Sequence, residues 1–407
     1  MKSVKLASIL FYLNNVFVVS CFVSCGSSPT EASSLLTADI RGAIDKPGLL
    51  GLGDEIKGVT FVPLEVTTDD ASLIDGVYDY AVTDRYIYVL PVKEPRVVLF
   101  DRQGRFIRTL LKEGQGPGEF SGILPCIQVD ERNDRLFLFS NNRVWEYTLE
   151  GEFIGQSTHE YSVIYMRHIG KDRFAAISFP FQPFNGGGFG LGLFSRRGDT
   201  IAIKNDFYSF LLPHEKSGFT TSIAPAYSDA QNSVLFKTGS NDTVFCISAD
   251  RISAACVLDL KNSDAEVIRS LDVTDMSNLR IDKKDPKDIF VQDMIEFPEH
   301  YYFRLLYNQG YYIASVDKKT GKTLVEKCEM PGSIYELADA NLQHGMQGTR
   351  SYRNFPVWGR VIKDELVQVV TPYELNLYKS LRSITIPQEL DLKGEEGNPV
   401  FVFYSLI

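Results

Sequence analysis

Five histidines, His159, His168, His214, His300 and His344, are the first residues to ask about catalysis or metal binding, and they are scattered singly. No His-x-x-x-His or Gly-x-Ser-x-Gly spacing occurs, so no helix-borne zinc pair and no nucleophile elbow is encoded. Each histidine is expected on the surface or in a loop. Two glycine-rich runs imitate phosphate loops: Gly114-Gln-Gly-Pro-Gly118 and Gly186-Gly-Gly-Phe-Gly-Leu-Gly192. A phosphate cradle needs a helix opening directly behind the glycines to aim its N–H groups. Glu119-Phe-Ser-Gly-Ile-Leu-Pro125 is a poor helix start and the second run enters a strand, so both are read as rigid crossovers or hairpins. The acidic pairs Asp69-Asp70 and Glu395-Glu396 read as solvated turns.

Cysteine offers little more. Beyond the first thirty residues stand Cys126, Cys246, Cys256 and Cys328, without C-x-x-C or Cys/His spacing, so they read as buried thiols rather than zinc ligands. Cys246 and Cys256 fall on opposite arms of one hairpin, and nearness on paired arms does not fix bridge geometry. No catalytic residue, metal ligand or cofactor is therefore expected from spacing alone.

The elements that must position any site are legible in a repeat. Phe100 with Gly104 and Ile107, Tyr147 with Gly151 and Ile154, and Phe194 with Gly198 and Ile201 superpose at an offset of 47 residues, seen twice. Weaker copies follow at Phe245 to Ile252, with Ala249 in the glycine place, and at Gly321 with Leu324. Each copy is a strand pair about a tight turn. The preceding strands, such as Tyr86-Ile-Tyr-Val-Leu90 and Arg135-Leu-Phe-Leu-Phe139, are apolar on consecutive residues, as strands packed on both faces must be. A strand-built period of about 40 to 50 residues is a propeller blade.

The fold class is thus all-β, a six-bladed β-propeller. Blades are expected at 76–111, 122–157, 161–204, 220–260, 288–327 and 355–407, with a charged insertion at about 261–287. Pro372 to Ser380 has helical spacing behind a proline suited to a helix start. An open ring would bare two sheet edges, so a strand at Val59 to Val66 is expected to pair with the C-terminal strand and close it. Pro63 places that strand on an outer edge.

Residues 1–25 have a different task. Lys2 and Lys5 precede a charge-free run from Leu6 to Thr30, laid out as an export signal. Phe22-Val-Ser24-Cys25-Gly26 matches a lipobox, making Cys25 the lipidated first mature residue; Val18-Val-Ser20-Cys21 is a second match. Residues 26–58 are expected as a tether, and 59–407 as the propeller. The chain carries 44% hydrophobic and 12% aromatic residues with a formal charge of -10, which suits a sizeable core and disfavours nucleic acid.

The run Phe100 to Phe120, the later Asn241-Asp242-Thr243-Val244-Phe245 and the ending Gly397-Asn398-Pro399-Val400 together resemble the six-bladed β-propeller lipoproteins of Bacteroides-type bacteria, related in form to NHL-repeat and TolB-like propellers. The resemblance implies this fold, export and an outer-membrane lipid anchor, facing the periplasm or the surface. It transfers no catalytic residue.

In a propeller the outer-to-inner connections and those between second and third strands leave on one face. That face gathers Arg96, Phe181, Phe184, Tyr208, His214, Arg350, Tyr352 and Arg353, and arginine and aromatic side chains around a concave mouth suit ligand capture. The expected function is an envelope-anchored lipoprotein binding or interaction module for a protein, glycan or peptide, held to the membrane by its lipid. The enzymatic alternative is an envelope hydrolase or lactonase using calcium gathered by acidic residues at the axis. A structural assembly component is the third reading.

Overall fold

A computed structural model describes residues 35–48, 50, 55–122, 126–140, 142–159, 163, 165–177, 190–204, 223–228, 232–238, 242–261, 288–308, 310–328, 360–380 and 397–407. The chain enters through β1 (Leu36–Ala38), α1 (Ile40–Ile44) and β2 (Ile56–Pro63). Blade one is β3 (Val77–Val82), β4 (Tyr86–Pro91), β5 (Arg96–Asp101) and β6 (Phe106–Lys112). Blade two is β7 (Cys126–Asp130), β8 (Arg135–Ser140), β9 (Arg143–Tyr147) and β10 (Phe153–Thr158). Blade three is β11 (Tyr165–His168), β12 (Arg173–Ile177), β13 (Leu191–Ser195) and β14 (Thr200–Lys204). Blade four is β15 (Ile223–Ser228), β16 (Ser233–Thr238), β17 (Thr243–Ile247) and β18 (Ile252–Leu258). Blade five is β19 (Phe290–Glu296), β20 (His300–Tyr307), β21 (Gly310–Asp317) and β22 (Thr323–Cys328). Blade six is β23 (Arg360–Ile362), β24 (Glu365–Val370) and β25 (Val400–Leu406), with α2 (Pro372–Ser380) between the last two.

Strands pair in chain order within each blade, antiparallel throughout, and the first strand of each lies innermost. The six sheets form a ring, a six-bladed β-propeller. Its core is divided among the blade interfaces. Ile87, Val89 and Phe100 of blade one pack on Val367, Phe401 and Phe403 of blade six, whereas the alternate residues Tyr88, Leu90 and Leu99 pack on Leu136, Leu138 and Trp145 of blade two. Further clusters join blades two and three, three and four, four and five, and five and six. Consecutive apolar residues thus serve two interfaces by the pleat of the strand. Each large side chain so buried stabilises by roughly 1.5–3 kcal/mol.

The repeat glycine has a packing reason. Gly104 and Gly198 turn the β5–β6 and β13–β14 hairpins at φ +81° and +95°, where other residues are strained. A Cβ on Gly104 would stand 2.2 Å from the Pro63 carbonyl oxygen on β2, and one on Gly198 would stand 2.6 Å from that of Thr158 on β10. Each hairpin tip therefore rests directly on the outer strand of the preceding blade. The 47-residue spacing is the pitch of that contact.

Closure occurs as expected: β2 pairs antiparallel with β25, from Ile56 opposite Leu406 to Pro63 opposite Val400. Pro63 ends the edge strand of its sheet. The reserved tether needs correction, because residues from Leu36 onward belong to the folded body. β1 adds to the outside of blade four in parallel, with Leu36, Thr37 and Ala38 opposite Cys256, Val257 and Leu258. Ala38, Ile40 and Ile44 are buried between blades four and five, and the Leu50 amide donates to Glu326 at 2.9 Å. These apolar residues are too few and too short in span to show a period in sequence. α2 starts with the capping box of Thr371 and Glu374, each side chain meeting the other's backbone N–H at 3.1 and 2.5 Å. The insertion at 261–287 lies outside the described residues after Lys261, as do Cys25 and the leader.

Candidate functional site

The inner strands all begin on the face from which the outer-to-inner connections and the second-to-third strand connections leave. At these entry ends, side chains from four blades meet around the axis: Asp79 on β3, Cys126 and Ile127 on β7, Tyr165 and Arg167 on β11, and Arg360 on β23.

Asp79 is the hub. It sits at a bulge in β3, where the register shifts between Val77 and Asp79, and the bulge turns its carboxylate towards the neighbouring blades. Oδ1 accepts from the Tyr80 amide at 2.8 Å and Oδ2 from the Ile127 amide at 2.7 Å. Arg360 meets Oδ1 in an ion pair, and Arg167 Nη2 lies 3.7 Å from Oδ2. Arg167 also donates to the Ile127 carbonyl at 2.5 Å and the Tyr165 hydroxyl at 3.0 Å. Arg360 donates to the Tyr80 carbonyl at 2.9 Å and stands over the Tyr80 ring at 4.8 Å. Hydrogen bonds and ion pairs with Asp79 thus stitch blades one, two, three and six together.

Burial pushes the Tyr80 phenol up to about 12, and burial likewise raises Tyr165 and the Cys126 thiol. Burial is the largest influence on Arg360 and opposes its charge, but the Asp79 carboxylate together with Tyr80 and Tyr165 leaves the guanidinium above its ordinary range. Among the described residues, the cluster sets the Arg167 and Arg360 guanidiniums about the Asp79 carboxylate. Among the described residues, no group of three or more His, Cys, Asp or Glu side chains is placed to hold a metal.

Of the residues expected at the mouth, Arg96 is described. It lies on the entry face at the start of β5, where its guanidinium donates to the Ala71 and Leu73 carbonyls at 2.9 and 2.6 Å and pairs with Glu94 at 3.1 Å. It is a clamp on the loop between β2 and β3, with its donors already engaged. Phe181, Phe184, Tyr208, His214, Arg350, Tyr352 and Arg353 lie outside the described residues. The flanking strand ends show that the segments carrying them depart from the same face as the Asp79 cluster.

Other chemistry-bearing residues prove structural. The Gly114–Gly118 loop is filled by the chain's own Glu119 carboxylate, which accepts from the Gly116 amide at 2.7 Å. A Cβ on Gly114 would collide with that carboxylate at 1.8 Å, which explains the glycine. His168 corrects the expectation of a surface or loop histidine, being buried within β11 with its ring stacked on Phe137; His159 does lie in a loop but is 2% exposed, wedged edge-on between Phe174 and Phe194. Cys246 and Cys256 are free thiols, paired in register with Ser253 and Val244 respectively. Asn398, from the C-terminal motif, is buried and donates to the Glu65 and Ser72 carbonyls while accepting from the Ile74 amide. Its part is to lace the closure. Sequence reasoning missed the Asp79 cluster because no two of its charged members stand within one blade.

A family model described as "Domain of unknown function (DUF4934)" matches residues 35–405. No curated protein matches the chain. Among solved structures, it is similar to a Bacteroides fragilis protein inferred to be exported, at 14% identity and a TM-score of 0.60, covering 92% of this chain and 100% of that one. It is also similar to a DUF4221 family member from Bacteroides vulgatus, at 11% identity and a TM-score of 0.49, covering 86% and 97%. The first likeness supports the fold. No helix among the described residues is long and apolar enough to cross a membrane.

Proposed function

Since the chain belongs to the family described as Domain of unknown function (DUF4934), we propose that it is a lipoprotein binding module of the bacterial envelope, related in form to NHL-repeat and TolB-like propellers. Cys25 would carry the lipid, and the propeller would engage a protein, glycan or peptide through its entry face. One observation carries this reading: the long outer-to-inner and second-to-third strand connections from β2 to β25 leave the described strands on the face that holds the axial charge cluster. The export inferred for the Bacteroides fragilis relative supports the address. Two arginines on the axial aspartate favour recognition of a ligand over assembly of a calcium site.

Crosslinking in the native envelope, followed by identification of what is joined to the chain, tests the reading. Crosslinks to one defined partner or glycan from entry-face positions are expected. Crosslinks confined to the outer strands would overturn it. Mass spectrometry of the mature N-terminus is expected to find a lipid-modified Cys25.

A further inference from the structure

We propose that the packing seam between blades two and three is an acid-released joint, in which His159 and His168 act as a pair through the one phenylalanine they share. His159 follows β10 and lies edge-on to Phe174 and Phe194, with both ring nitrogens buried and unpartnered among the described residues. His168 ends β11; its ring is stacked on Phe137 of blade two at 4.8 Å and meets Phe174 at 5.5 Å. Phe174 on β12 thus contacts both imidazoles, and it also packs edge-on against Phe137 and Phe139. These phenylalanines belong to the apolar cluster that joins the two blades. Gln128 of β7 fixes the His168 backbone on both sides, accepting from its N–H at 2.7 Å and donating to its carbonyl at 2.8 Å. Both imidazoles are therefore built into the seam, where a charge on either ring is costly.

The surrounding groups set the direction of the response. Among the described residues burial alone acts on His159, and it lowers the pKa from 6.5 to about 4. Burial is also the largest influence on His168 and lowers it. Asp130, whose Oδ2 lies 3.7 Å from Nδ1, favours the charged form together with Asp172 and Glu146, whereas Arg196 opposes it, and burial outweighs the three carboxylates. Glu146 is itself paired with Arg135 and Arg196. The closed seam thus refuses protons that an open seam accepts at the ordinary histidine value of about 6.5. As pH falls below that value, opening takes up protons and gains in population; above it, opening gains nothing. Displacing Phe174 uncovers both rings, so the two proton uptakes are linked. His300, the other described histidine, stands at the start of β20 in blade five, which leaves the seam between blades six and one as a control.

The test is hydrogen exchange of the full chain in detergent at pH 7, 6 and 5, with rates corrected for the intrinsic pH dependence of exchange. Amides of β12 and β13 are expected to lose on the order of tenfold in protection between pH 7 and 5, while those of β4 and β24 keep theirs. His159→Phe and His168→Phe are each expected to recover part of the loss, and the double variant all of it. Equal loss at both seams overturns the proposal, as does a full loss in the double variant. If the double variant fails to fold, the slope of log protection against pH in the native chain decides: more than one proton taken up per opening supports the pair, and one or fewer refutes it. Cys126 gives a second reading in the native chain, because its thiol is 2% exposed within the same cluster, whereas the buried Cys256 lies between blades four and five. Labelling with a dipyridyl disulfide, which reacts with thiols in acid, is expected to accelerate at Cys126 relative to Cys256 as pH falls, and a constant ratio counts against the joint.

Discussion

His159 is a base in a place that cannot accommodate its conjugate acid. Its ring lies between Phe174 and Phe194, 6.0 and 5.7 Å between centroids, and neither ring nitrogen has a hydrogen-bond partner among the described residues. Removal from water lowers its pKa from 6.5 to about 4. Below pH 6.5 the unfolded chain takes up a proton that the folded chain refuses, so stability falls as pH drops towards 4, by on the order of 2–3 kcal/mol. Urea denaturation between pH 7 and 4 measures this loss, and His159→Phe is expected to flatten that part of the profile. Such burial was not legible in the sequence, where His159 stands just past an edge strand with no pattern to bury it. Arg360 was equally silent, because its partners Asp79 and Arg167 lie far away along the chain. Arg96 was found by its position on the entry face, but its engagement by the Ala71 and Leu73 carbonyls depended on a loop fold that spacing does not encode.

The hairpin is the element in which sequence spoke most clearly, since a tip that must touch the preceding blade leaves little choice of residue. At Gly104, a side chain would face both an unfavourable φ and the Pro63 carbonyl 2.2 Å away. Gly104→Ala is expected to destabilise by on the order of 2–4 kcal/mol. Gly155→Ala, on β10 with nothing within 4 Å of the added Cβ, is expected to be near neutral. The urea midpoints of the two variants check the contrast. The signal faded in blade four, where Ala249 replaces the glycine, and in blade six, where α2 separates β24 from β25. α2 itself was legible because helical spacing behind a proline at the first turn is a local instruction. β1 was not, since three residues in parallel register with β18 have no local signature.

For the whole molecule, the ring and its closure could be read from counting repeats and asking what covers the last edge. The extent of the closure could not. The described residues start on blade four at β1, meet blade five through α1, Gly48 and Leu50, and then supply the outer strand of blade six, so the approach to the closing strand touches three blades. Deleting residues 35–50 removes the buried Ala38, Ile40, Ile44 and Leu50 and is expected to lower the melting temperature. Hydrogen exchange should rise along β18 and β22 while the amides around Asp79 remain protected. The same arrangement governs how the molecule yields under load. Tension drawn through the backbone ahead of Leu36 arrives at a three-residue parallel pairing on the rim of blade four, and must peel that strand and α1 before it strains the longer β2–β25 seam. A sudden tug is therefore dissipated in a short, re-formable fastening, and the axis is spared.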